Sequence, residues 1–140
     1  MLVMFVASFI LHYFIMPPIM LNKVDYFTNY IGKAYLATIS ALFMVNIEVI
    51  MHDHQYHVFS INWYAILFAL LSLFIYLYRK QIAVNDKQYI EGMIEHHSMA
   101  LLTSEEILKK TDNYDVAKIA KNIIQTQTDE LRVMSDFLKK

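Results

Sequence analysis

Residues 58–80 read VFSINWYAILFALLSLFIYLYRK, and this stretch marks the point where the chain changes character. Up to Tyr78 the apolar residues follow one another without a polar face, and from Arg79 onward charged residues are frequent. A helix of about 20 mostly apolar residues is long enough to cross a membrane. The stretch therefore predicts a membrane-spanning helix that is followed by a water-exposed part of the chain.

Two more apolar segments precede this one, and together they predict a three-span membrane region over residues 1–80. The expected spans are about residues 2–21, 31–51 and 58–78. In the first span, Pro17 and Pro18 should bend or end the helix. The hydrophobic fraction of 57% exceeds the roughly 45–50% of soluble domains. A soluble bundle is disfavoured because these segments have no polar face to offer water.

Composition also excludes several kinds of site and partner. The chain has no cysteine, so disulfides and thiolate metal sites are impossible. The net charge is −1 and no basic stripe occurs, which argues against nucleic acid as a partner. Membrane lipid is the partner that we expect for residues 1–80. Any metal site must use histidine, methionine, carboxylate or amide ligands.

Residues 81–140 alternate apolar and polar positions at helical spacing and predict a soluble helical hairpin. Asn85 should cap the first helix with Gln88, and Asp112 or Asn113 should cap the second. A short connection between two helices makes them antiparallel. A turn centred near residue 112 would place His97 opposite Gln127.

The apolar stripes of these two helices are too small to form a stable core by themselves. A second copy of the chain would complete a four-helix bundle around a two-fold axis. We therefore expect an all-α protein with three transmembrane helices and a hairpin that pairs as a dimer.

The segment GMIEHHSMALL, residues 92–102, contains a pair of adjacent histidines and predicts a metal site. Neutral imidazole suits copper or zinc, and the methionine thioether suits Cu(I). The residues that we expect to take part are His96, His97, Met93, Met99, Gln127, Glu130 and Met134. The competing hypothesis is a structural core in which His97 bonds Gln127 and His96 bonds a carboxylate.

A second group of polar residues lies at the end of the second span. The secondary candidates for a metal site are His52, Asp53, His54, His57 and Glu48. Glu48 and His52 are four residues apart and share one helix face. The alternative is a solvated polar loop over residues 52–57, with Glu48 bonded to Asn46, Lys33 or His12.

At residues 85–139 the chain resembles the family called domain of unknown function 305, which is placed among ferritin-like helical proteins. The usual signature, Met-Ile-Pro-His-His followed by Ala, appears here as Met-Ile-Glu-His-His with Ala100. Gln127, Glu130 and Met134 match the second helix of the family. Glu95 replaces the usual proline. The resemblance implies three N-terminal spans in some members and an association of others with copper binding or resistance.

These observations predict a non-catalytic, membrane-anchored metal-binding protein that handles copper, as Cu(I) or Cu(II), with zinc as the alternative metal. A ferritin-like di-iron enzyme is disfavoured because its Glu-x-x-His motif is absent. A membrane-anchored dimerisation module with structural histidines is the second hypothesis.

We expect a multi-pass location in a bacterial inner membrane. Lys23, Lys33, Arg79, Lys80 and Lys87 fall on the hairpin's side, which favours the cytoplasm by the positive-inside rule. The family resemblance favours the outside instead. The sequence starts directly in a span, so a basic flank that would change this count could precede residue 1.

Overall fold

The computed structural model describes residues 1–139 and is all-helical over this range, as predicted. Five helices follow one another, and a short 3-10 turn at Val24–Tyr26 lies between the first two. The helices are α1 (Leu2–Met20), α2 (Ile31–Tyr56), α3 (Ile61–Arg79), α4 (Asp86–Leu108) and α5 (Tyr114–Leu138).

The chain forms two compact units. The first contains Met1–Met16 and Ile31–Val84, and the second contains Pro17–Tyr30 and the residues from Asn85 onward. The apolar helices α1 to α3 supply the first unit and the hairpin supplies most of the second. Residues 17–30 belong to the second unit together with the hairpin.

In the first unit, α1, α2 and α3 are long and apolar enough to cross a membrane. Their small core consists of Leu42, Val45, Val49 and Leu67. Only 11% of the apolar window of α1 and 6% of that of α3 is buried within the protein. Most of this apolar surface faces outward, which is compatible with a membrane protein.

The two prolines of α1 lie close to its C-terminal end, since the helix ends at Met20. One widened π-helical turn at Leu11–Ile15 precedes them. A proline lacks an N–H group and its ring would clash with the carbonyl four residues before it. The widened turn accommodates the prolines within the last turns of the helix.

Helix α2 is five residues longer than predicted, and the expected polar loop at residues 52–57 is therefore wrong. His52, Asp53 and His54 lie in the last helical turns, the helix ends at Tyr56, and the next residue, His57, has a left-handed backbone (φ 52°). Asp53 is buried and accepts hydrogen bonds from the backbone N–H and the hydroxyl of Ser60, both at 2.7 Å. These two bonds close the connection to α3 tightly.

The hairpin of the second unit begins and turns at the predicted caps. Asn85 accepts a hydrogen bond from the backbone N–H of Gln88 at 3.0 Å, and Asn113 accepts from the first turn of α5. A neutral or charged side chain that satisfies free N–H groups at a helix start stabilises it by about 1 kcal/mol. The buried core between the helices is formed by Ile94, Leu101, Leu131 and Met134.

The chain segment between α1 and α2, residues 21–30, packs along α4 and was not predicted to do so. The Thr28 backbone N–H donates to the Glu95 carboxylate at 2.7 Å, and the Thr28 hydroxyl donates to the Glu91 carbonyl at 2.8 Å. The Asn22 backbone N–H donates to the Ser98 hydroxyl at 3.0 Å. We call residues 21–30 the inter-helix segment.

The inter-helix segment gives α4 a second buried side. Six residues of α4 are buried, whereas only Ala120, Leu131 and Met134 are buried on α5. The tyrosine ring of Tyr30 fits against Gly92, where an added Cβ would lie 3.0 Å from the ring. Part of the core that we expected from a second copy is thus supplied by the chain itself.

Candidate functional site

A groove of about 460 Å³ opens on the side of the hairpin and contains several of the predicted site residues. It is lined by Tyr89, Met93, His97, Asp129, Glu130, Val133 and Met134. Helix α4 contributes the histidine and one methionine, and α5 contributes the carboxylates and the second methionine. Met93 and His97 are four positions apart in the sequence, as are Glu130 and Met134, so each pair lies on one face of its helix.

His97 is the central side chain of this groove and both its ring nitrogens are hydrogen-bonded. Nδ1 lies 2.7 Å from the backbone carbonyl oxygen of Met93, and Nε2 lies 2.6 Å from a carboxylate oxygen of Glu130. The His97 side chain is 9% exposed and the Glu130 side chain is 51% exposed. Because a carbonyl oxygen only accepts, Nδ1 carries a hydrogen and donates it.

The partner of His97 on α5 differs from the predicted one. Gln127 is half-buried and makes no hydrogen bond to His97, whose Nε2 instead contacts Glu130. The difference is three residues, or slightly less than one helical turn. The caps and apolar stripe of α5 do not determine its rotation and axial offset to within three residues, which is why the predicted partner was wrong.

The other histidine of the pair points away from the groove. His96 is exposed, and its ring centroid lies 6.1 Å from that of His97. Adjacent residues on a helix are about 100° apart, which accounts for the separation. Met99 is half-buried and does not line the groove. Of the seven predicted residues, the groove thus brings together Met93, His97, Glu130 and Met134.

The donor atoms of the groove suit a soft or borderline metal ion. An imidazole, two thioethers and two carboxylates converge on one opening, and this mixture fits copper. The bond from Nδ1 of His97 to a backbone carbonyl is the usual support of a ligating histidine. Over residues 1–139 no cluster of three or more His, Asp or Glu side chains has the arrangement of a metal site.

The secondary cluster is divided by the fold. Glu48 and His52 line a second groove of about 270 Å³ together with Ser60 and Trp63. The Asp53 carboxylate lies 3.2 Å from Nδ1 of His52 and accepts from Ser60, whereas His54 and His57 are exposed outside this groove. The side-chain amide of Asn46 donates to the Leu42 carbonyl and Nδ1 of His12 bonds the Ser8 carbonyl, so neither bonds Glu48. Glu48 forms an ion pair with the Met1 amino group.

Glu95 is the residue whose role the sequence did not indicate. It replaces the proline of the usual motif, yet it is only 1% exposed and faces the inter-helix segment. The helix periodicity gave no signal, because position 95 lies on the side of α4 away from the apolar stripe that contains His97, where exposure is expected. The partner of Glu95, Thr28, lies 67 residues away in sequence, so local spacing could not identify it.

Comparison with known proteins supports the resemblance found in the sequence. The chain is 27% identical over 138 residues to Uncharacterized protein L153 of Acanthamoeba polyphaga mimivirus, covering 98% of this chain and 90% of that protein. No solved structure matches the chain. The family described as domain of unknown function (DUF305) matches residues 76–139, which contain both helices of the hairpin and the groove between them. Residues 76–139, which include the hairpin, are thus similar to the domain of unknown function 305, as the His-His motif indicated.

Proposed function

We propose that this protein is a non-catalytic, membrane-anchored metal-binding protein and that the hairpin groove holds a copper ion. His97 and Met134 would be the main ligands, with Met93 and the carboxylates of Glu130 and Asp129 beside them. The observation that carries the proposal is the convergence of an imidazole and two thioethers in one groove. Thioether ligands favour Cu(I) over zinc, which is the alternative metal.

Copper binding would require one local change at His97. Its Nε2 is the ring nitrogen that faces Glu130, so a metal at Nε2 replaces the hydrogen shared with that carboxylate. Glu130 is half-exposed and its carboxylate can either rotate to water or bind the ion. Because the ligand must lose its proton, copper binding should release protons and weaken at acidic pH.

The second candidate function rests on the same histidine. His97 already has a hydrogen-bond partner at each ring nitrogen, as expected for a side chain that only fixes the helix register. In that case the hairpin is a membrane-anchored interaction module that binds no metal. Metal titration separates the two functions, since only the first predicts saturable binding in the groove.

We place the three apolar helices in a membrane, with a bacterial inner membrane as the expected location. Two spans, α2 and α3, lie between the inter-helix segment and the hairpin, so both would be on the same side of the membrane. Their contacts with each other within one unit agree with this arrangement. The basic residues Lys23, Arg79, Lys80 and Lys87 also fall on this side. The positive-inside rule then orients the hairpin toward the cytoplasm. Labelling of single cysteines in intact cells would test this orientation.

The metal proposal is tested on the full chain in mild detergent. Cu(I), Cu(II) and Zn(II) are titrated separately, and bound metal is measured by native mass spectrometry together with the melting temperature. We expect one copper ion per chain and a rise in melting temperature, because a ligand that binds only the folded state stabilises it. His97→Ala should abolish binding, and Met134→Leu should weaken Cu(I) binding more than Zn(II) binding.

The matched control is His96→Ala, which removes the adjacent and exposed imidazole. It should leave copper binding unchanged. If the folded wild type binds no metal, or if His97→Ala binds as well as the wild type, the metal proposal is refuted. The first of these results favours the interaction module.

A further inference from the structure

The outer face of α5 carries an apolar stripe that is left uncovered by residues 1–139. Ile119, Val133 and Phe137 are 58%, 66% and 50% exposed, respectively. Ile119, Thr126 and Val133 are spaced by seven residues, so each lies about 20° around the helix from the next. The buried residues Ala120, Leu131 and Met134 lie about 80–140° around α5 from Thr126.

This stripe is nearly symmetric about Thr126. Ile119 lies seven residues before Thr126 and Val133 lies seven residues after it. If two copies of α5 pack antiparallel with a two-fold axis at Thr126, Ile119 of each copy meets Val133 of the other. A two-fold interface uses the same patch on both subunits and therefore requires such self-complementarity.

The charges beside the stripe follow the same symmetry. Lys118 lies on one flank near the start of α5, and Asp129 and Asp136 lie on that flank toward its end. In an antiparallel pair the same flanks of the two helices meet, so Lys118 comes within one turn of Asp136 of the other copy. Opposite charges at such positions favour this orientation over a parallel one.

We infer that the outer face of α5 is a self-association surface and that its occupant is a second copy of this chain. A lipid surface is the less favoured occupant, because the carboxylates of Asp129, Glu130 and Asp136 would face the anionic headgroups there. Val133 also lines the groove of His97, so the second copy would lie beside the groove opening. The inference does not depend on metal binding.

The absence of native cysteines allows a direct test on the full chain. Thr126→Cys places one thiol from each copy at the proposed two-fold axis. Packed helices lie about 8–10 Å apart, which is close enough for a short bismaleimide or a disulfide to join the two thiols. Thr128→Cys is the matched control, since this exposed threonine lies two residues further and about 200° around the helix. We expect Thr126→Cys to crosslink as a dimer in detergent and in liposomes and Thr128→Cys to remain monomeric.

A second variant checks that crosslinking reports this face. Val133→Glu, made in the Thr126→Cys chain, adds a charge to an exposed side chain and should abolish the crosslink without unfolding the hairpin. A Lys118→Glu and Asp136→Lys double exchange should retain the crosslink, whereas Lys118→Glu alone should reduce it. The inference is overturned if both single-cysteine chains crosslink equally or if neither does. It is also overturned if Thr126→Cys stays monomeric in liposomes and its thiol reacts more slowly with a water-soluble maleimide there than in detergent, because lipid would then be the occupant of this face.

Discussion

Replacement of His97 by alanine should destabilise the hairpin even when no metal is present. The imidazole makes two hydrogen bonds and its side chain is 9% exposed. A buried hydrogen bond contributes about 1 kcal/mol net, and one to a charged group contributes about 1.5–3 kcal/mol. The loss is limited because Glu130, at 51% exposure, can return to water. We therefore expect a loss of about 2–3 kcal/mol once the buried ring surface is included.

The adjacent residue provides the control for this experiment. His96 is exposed and its replacement by alanine should change the free energy of opening by less than about 0.5 kcal/mol. The two variants carry the same substitution at neighbouring positions of one helix, so helix propensity and charge change alike. Any difference between them reports the contacts of His97.

Hydrogen exchange of peptides from α4 measures the effect without unfolding the apolar helices. It is carried out on the full chain in detergent with a strong chelator present. A loss of about 2–3 kcal/mol corresponds to opening that is about 30- to 140-fold more frequent around residues 94–101. If His97→Ala speeds exchange by less than about threefold, or if His96→Ala has an equal effect, the described hydrogen bonds do not stabilise the hairpin.

Three further predictions concern the other side and the end of α4. Glu95→Ala removes a buried acceptor of the inter-helix segment and should lower the protection of that segment from exchange by about 1–3 kcal/mol, measured on the peptide covering residues 21–30. Gly92→Ala should slow hydrogen exchange within α4, because alanine favours a helix over glycine by about 1 kcal/mol. The same variant should speed exchange of the inter-helix segment, because the new Cβ would lie 3.0 Å from the Tyr30 ring and crowd it. The Lys109 side chain lowers the pKa of Glu106 through a hydrogen bond and its charge. This contact therefore stabilises the end of α4 at pH values above the unfolded pKa of a glutamate, and the stabilisation is lost as the pH falls through the lower pKa of the folded state. An NMR titration of Glu106 should show the lowered pKa, and Lys109→Gln should remove the shift.

Features that depend on near neighbours in sequence could be predicted, and they were found. The three apolar helices follow from runs of apolar residues, and Asn85 caps α4 through a residue three positions away. The number of helices and the antiparallel hairpin follow from the same signals. At the end of α2 the prediction failed, because Asp53 and Ser60 close a tight connection that keeps the His-rich residues helical.

Features that depend on distant partners could be predicted only in part. The apolar stripes placed His97 on the inner face of the hairpin correctly, but its partner was assigned one turn away from Glu130. The contacts from Asn22 to Ser98 and from Thr28 to Glu95 span 76 and 67 residues, and no periodicity reports such a pairing. A single sequence therefore indicates the faces of α4 but does not reveal what covers each of them.

The inter-helix segment also bears on where this domain begins. The family match extends over residues 76–139, whereas the packed unit also includes Pro17–Tyr30. A hairpin excised at the family boundary would expose Glu95 and Ser98, which are 1% and 0% exposed in the whole chain. A hairpin moved onto another anchor would therefore need a replacement for the missing segment to cover these two side chains. The stretch that matches the family and the stretch that packs as one unit thus differ here by the segment between α1 and α2.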